Sequence, residues 1–144
     1  MIKSKLISVM FLFFCFIPLH VFAGDFDGTK PLLSAVIKVF ECSENGDCKQ
    51  VTPENVGMPQ FFIIDMNEKK IFPTKASGIR NISKIENVER VDGKLILQGA
   101  EDGQMDVRDG TGWTIAISEE TGKMVMTASG DQVGFVAFGA CTPR

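Results

Sequence analysis

From residue 32 onward the chain reads as short apolar runs separated by turn chemistry. LLSAVIKVFEC (32–42), CKQVT (48–52), QFFIIDM (60–66) and KIF (70–72) come first, then KLILQG (94–99), GWTIAIS (112–118), KMVMTAS (123–129) and VGFVAFGAC (133–141). Trp113, Ile115 and Ile117 alternate with Thr114, Ala116 and Ser118, the period of two expected of a half-buried strand. Ile79, Ile82 and Ile85 recur at a helical spacing of three, but Asp92-Gly93 follows between apolar runs. Such a dipeptide supplies the two positive φ angles of a tight hairpin, so 83–91 is predicted as a strand paired with 94–99. Thr52 and Pro53 can open a single helical turn in the loop before the third run.

About eight short strands at this spacing predict an all-β fold, a small antiparallel barrel or sandwich. Several strands are apolar on both faces: Phe61 and Ile63 lie against Phe62 and Ile64, and Val36 and Phe40 against Ile37 and Val39. A barrel with a fully wet exterior would alternate more cleanly. Something is therefore expected to cover part of the outside: the 53–59 loop, the lead before residue 32, or another chain as in a homodimer.

The N-terminus changes the picture. Lys3 and Lys5 precede the apolar run LISVMFLFFCFIPL (6–19), and Val21-Phe22-Ala23 offers a cleavage site before Gly24. This is the pattern of a signal peptide over 1–23, followed by one all-β domain over 24–144. The run is shorter than the roughly 20 residues of a membrane span, so no membrane anchor is expected after cleavage. The expected location is periplasmic or secreted. Removing residues 1–23 takes away two lysines and the sole histidine, His20, and moves the formal charge from −3 to −5 over 121 residues. Nucleic-acid binding, which needs clustered Lys and Arg, is not expected.

Export exposes thiols to oxidation. Cys42 and Cys48 flank SENGD, whose Asn45-Gly46 reverses the chain, so a 42–48 disulfide is predicted. A redox site normally uses a tighter C-x-x-C at a helix start. Zinc would need four ligands from a chain with three thiols and no imidazole. Cys141 is left open three ways: buried and free, bonded to Cys42 or Cys48, or bonded to another molecule.

Candidate chemistry is sparse. Ser-His-Asp catalysis lacks its histidine, no S-x-x-K occurs after residue 23, and no phosphate-binding glycine loop opens a helix. Glu101, Asp102, Asp106 and Asp109 crowd one loop, but their spacing does not match a calcium loop, and so polar a setting would not raise a glycosidase acid. No enzyme, cofactor or metal is expected. Phe61, Phe62, Phe72, Trp113, Met124, Met126, Phe135 and Phe138 are candidates to line an apolar ligand cavity, against the alternative that they pack the core. The sequence favours a module that binds another envelope protein, as an inhibitor or accessory factor, with carriage of a small apolar ligand as the alternative.

Overall fold

The computed structural model describes residues 26–79, 81–103 and 109–144. The signal peptide expected over 1–23, and Asp106 of the acidic loop, lie outside them. Among the described residues ten strands form a single antiparallel sheet: β1 (Leu32–Ser43), β2 (Cys48–Val51), β3 (Phe61–Asp65), β4 (Lys70–Pro73), β5 (Ser83–Lys84), β6 (Asn87–Val91), β7 (Lys94–Glu101), β8 (Thr111–Ser118), β9 (Lys123–Ser129) and β10 (Val133–Pro143). No α-helix occurs among the described residues, only 3₁₀ turns at Glu54–Val56 and Lys75–Ser77. The first of these follows Thr52 and Pro53, where the sequence predicts one helical turn.

The strand order is β5-β4-β3-β1-β10-β9-β8-β7-β6, with β2 beside β1. The sheet curls into a half-barrel around one core, so the sandwich alternative, which needs two packed sheets, gives way to a single curved one. Its two ends, β5 and β6, are consecutive in the chain. Between them Ile85 N–H donates to Lys69 O (2.9 Å) and Glu86 N–H donates to Gln98 O (2.8 Å). One short segment thus bonds to both ends of the sheet.

Local chemistry explains the turns. Asp92 and Gly93 have φ of 48° and 70°, the mirror-image turn their sequence demands, and they set Val91 opposite Lys94. At the first hairpin, Ser43 N–H donates to Asp47 O and Gly46 N–H to Ser43 O, with Gly46 at φ 85°. The reversal is therefore a three-residue loop, Glu44 to Gly46, one residue longer than a bare Asn-Gly turn. It sets Cys42 opposite Cys48, and the two are joined as a disulfide. Closing so short a loop stabilises the fold by about 2 kcal/mol on the chain-entropy account.

β1 organises the sheet. It pairs with β10 from Leu32–Pro143 to Ser43–Val133, with β3 through Leu32 to Ala35, and with β2 through Val39 to Cys42. Between the last two, Ile37 bulges out of the β10 register and stands 67% exposed. The extra residue shifts the alternation by one, so Leu32, Ser34 and Val36 face inward, and then Val39.

The core is built in rows across the strands. Leu95, Ile117 and Met124 form one row with Gly139 and Val36, and Leu97, Ile115 and Met126 form the next with Ala137 and Val39. Leu95, Leu97, Ile115 and Ile117 are fully buried. The lower end is closed by the lead before β1. The Phe26 ring lies on Gly122, and Gly28 packs over Met66 and Leu95. Arg90 holds this lead through the Asp27 carbonyl oxygen and pairs with Glu119 at 3.3 Å. Asp27 Oδ1 accepts from Thr29 N–H (2.9 Å) and from the Thr29 hydroxyl (2.7 Å).

Cys141 is free and buried, so of the three states left open by the sequence the first is found. Its Sγ lies 2.9 Å from the Ser34 hydroxyl and 3.9 Å from Met124 Sδ, which gives the buried serine its partner. Burial pushes the Cys141 thiol above its ordinary value, only partly offset by the Ser34 hydroxyl. No helix of the described residues is long and apolar enough to cross a membrane.

Candidate functional site

Above the two filled rows the interior changes character. The next inward row runs Gly99, Trp113, Ala128, Phe135 across β7, β8, β9 and β10. Two of its four positions carry little or no side chain: the Trp113 indole takes the space over Gly99, while the space beside Ala128 is left open. A cavity of about 260 Å³ lies here, open on one side at the upper end of the half-barrel.

Each wall comes from a different part of the chain. Ile115 and Met126 form the floor, where the last filled row ends. Trp113, Ala128 and Phe135 form one wall, and Phe62, Ile71 and Pro73 the other. Val56 to Pro59, which follow the first 3₁₀ turn, lean over the rim with Ile79, Asn81 and Ser83. Glu101, Asp102 and Thr111 complete it, at the point where β7 gives way to β8.

Trp113 is the central group. Gly99 stands opposite it, and a Cβ there would sit on Cζ2 of the indole and 2.7 Å from its Cε2. Gly99 is therefore what lets the ring lie flat on β7. The side chain is 5% exposed, yet its Nε1–H has no hydrogen-bond partner. Glu101 Oε1 is likewise buried without a partner. Buried polar atoms are nearly always satisfied, so these two are exceptions; their residues line the hollow, while the atoms themselves are closed off from it. One is a donor and the other an acceptor.

Of the residues expected to line a cavity, Trp113, Met126 and Phe135 are brought together here, with Phe62. Met124 is in the filled row below, against Cys141. Phe61 and Phe138 are on the outer face, 42% and 43% exposed, and Phe72 borders a shallow outer groove with Ile79 and Ile82. The reason is the period of two: inward Phe62, Ile71 and Ala137 force their neighbours outward. Phe138 instead meets Phe40 edge to face, ring centres 6.2 Å apart.

Register supplies what sequence reasoning did not find. Gly99 and Ala128 carry no chemistry of their own, and only their alignment with Trp113 gives them a role. Glu101, weighed as part of a calcium loop, is a pocket residue. No group of three His, Cys, Asp or Glu side chains able to hold a metal ion occurs among the described residues. No protein family, curated protein or solved structure matches this chain.

Proposed function

We propose that this is an exported binding domain that holds a small, largely apolar ligand in the mouth of its half-barrel. The observation that carries this reading is the open space beside Ala128, between Trp113 and Phe135, in an otherwise filled interior. A core built only for stability would fill such a space, because each missing methylene forgoes about 0.8 kcal/mol. Ligand sites are typically apolar concavities with a few placed polar groups, commonly about 300–1,000 Å³. A volume of about 260 Å³ points to the small end of that class. On this reading residues 83–91 act as one bent strand that completes a small barrel, and binding involves no bond-making step. The Cys42–Cys48 disulfide fits an oxidising compartment, periplasmic or extracellular.

Trp113 makes the test direct. It is the only tryptophan in a chain without tyrosine, so ultraviolet emission reports the pocket alone. Native mass spectrometry of freshly purified protein is expected to show a bound small molecule, or else titration with short aliphatic compounds is expected to shift Trp113 emission saturably. A lone apo mass together with an unresponsive emission spectrum would reject the reading.

A second reading rests on the outer face. Ile37, Phe61, Val125 and Phe138 are exposed on β1, β3, β9 and β10, the apolar exterior the sequence leads one to expect. An envelope protein or a second copy of this chain is the occupant it favours. Light scattering at high concentration distinguishes the two: a dimer supports self-association, whereas a monomer that also recovers no stoichiometric partner from envelope extract removes this reading.

A further inference from the structure

The outer face of the sheet restricts what can cover it, a restriction that rests on the second reading above and is independent of the cavity. The alternation that sends Val36, Met124 and Ala137 inward sends Ala35, Val125 and Phe138 outward. Register joins the outward residues into rows. One runs Phe138, Val125, Ala116 and Ile96 across β10, β9, β8 and β7. The next runs Ala140, Ala35 and Phe61 across β10, β1 and β3.

Charge is nearly absent from this face. The outward positions of β1, β8, β9 and β10 hold Lys38 and Lys123 and no Asp or Glu. Depletion of charge around aromatic side chains is the composition of an interface core, not of a solvated sheet face. Area sets the scale. Ile37, Phe61, Val125 and Phe138 are 38–67% exposed, which leaves about 400 Å² of apolar surface on one copy. Half-buried neighbours such as Phe40 and Ile96 raise this to about 600 Å², so two copies together cover about 1,200 Å². That is more than an incidental contact buries and reaches the low end of specific interfaces.

The relief of the face fits a second copy of itself. Phe138 projects, while Ala140, two residues further along β10, and Ala35 opposite it form a shallow seat. A twofold axis that lies between two such faces and crosses β10 at Gly139 exchanges the positions of Phe138 and Ala140. A twofold contact needs a projection and its seat on one and the same patch, and this face carries both. We propose that the chain forms a twofold dimer through the outer face of β1, β9 and β10, with Phe138 of each copy packed on Ala35 and Ala140 of the other.

Sedimentation velocity of protein spanning residues 24–144 reads this directly. The area predicts a monomer–dimer equilibrium with a dissociation constant in the micromolar range. Both copies carry net negative charge, so association should hold or tighten as salt is raised from about 0.05 to about 0.5 M. Phe138→Ala should weaken it by about tenfold or more, and Val125→Lys should do the same. Val91→Lys, at another exposed valine but on β6 and outside the face, should leave it unchanged. Should Phe138→Ala lose its fold by circular dichroism, Val125→Lys decides. A dimer indifferent to both substitutions would overturn the assigned contact. A monomer at every concentration overturns the dimer. If that monomer sediments with vesicles of anionic lipid, or draws a stoichiometric partner from envelope extract, the outer-face reading survives with a different occupant; if it does neither, that reading falls as well.

Discussion

Replacing Ala128 by leucine puts the hollow to a quantitative test. Ala128 is between Trp113 and Phe135 on the inward face of β9 and lines the cavity without filling it. Leucine adds three carbons, each contributing about 0.8 kcal/mol if buried, or about 2.4 kcal/mol in all. Ordering the new side chain costs about 0.5–1 kcal/mol, which leaves a net gain of about 1.5 kcal/mol. For a domain of roughly 120 residues this corresponds to a melting temperature higher by about 5–8 °C. Thermal and urea unfolding followed by Trp113 emission give both numbers, and the urea slope is expected to stay constant because the exposed area hardly changes. Aliphatic ligands should at the same time lose at least tenfold in affinity, since the added atoms occupy their place. The opposite sign refutes the reasoning. Packed cores lose about 1–3 kcal/mol when overfilled, so a destabilised Ala128→Leu protein would mean that the row has no space to give.

Gly99→Ala should act in the other direction: its Cβ meets the indole ring, so stability is expected to fall by about 1–3 kcal/mol and Trp113 emission to move to longer wavelength, and an unchanged spectrum would show that the ring does not rest there. Cys141, buried beside Ser34 with its thiol pushed up, is expected to ignore a thiol reagent in folded protein spanning residues 24–144 and to react there as a single equivalent after denaturation, counted by absorbance without reductant. Asp27 is held below its ordinary value of 3.8, chiefly by the Thr29 N–H, then by the Thr29 hydroxyl, with Arg90 adding a smaller Coulombic part. A carboxyl lowered on folding adds stability above its unfolded value and forfeits it as pH drops through the folded one. Acid unfolding as pH falls below Asp27's ordinary value should therefore be less steep in Asp27→Asn than in the natural protein.

Strands were the most legible part of this chain, because alternation and turn residues are local. Asp92-Gly93 predicts its hairpin from two residues, and Trp113 to Ser118 declares its period of two. Residues 83–91 show the limit: the segment is extended as expected, but Ile85 and Glu86 divide it between two neighbours, and nothing local announces that. The candidate site was less legible for the same reason. Apolar type identifies Phe61, Phe72 and Phe138 as readily as Trp113, Met126 and Phe135, and only the phase of each strand separates outward from inward. On β1 even that phase changes, at Ile37, through a bulge that pairing rather than sequence reveals. A hollow is harder still, since it opens at Ala128, a residue notable for what it lacks.

The marriage of β1 to β10 carries a consequence for how the molecule comes into being. The first long strand finds its main neighbour about a hundred positions later, from Leu32–Pro143 to Ser43–Val133. Pairings so distant in sequence make folding slow, because a long loop must close before any contact rewards it. The sheet cannot be completed until β10 has been synthesised, and deleting that strand would leave β1 and β9 each with a raw edge. The hairpins of β6 to β9 can form from neighbouring residues, so closing β1 onto β10 is the step that joins the two ends of the domain into one sheet.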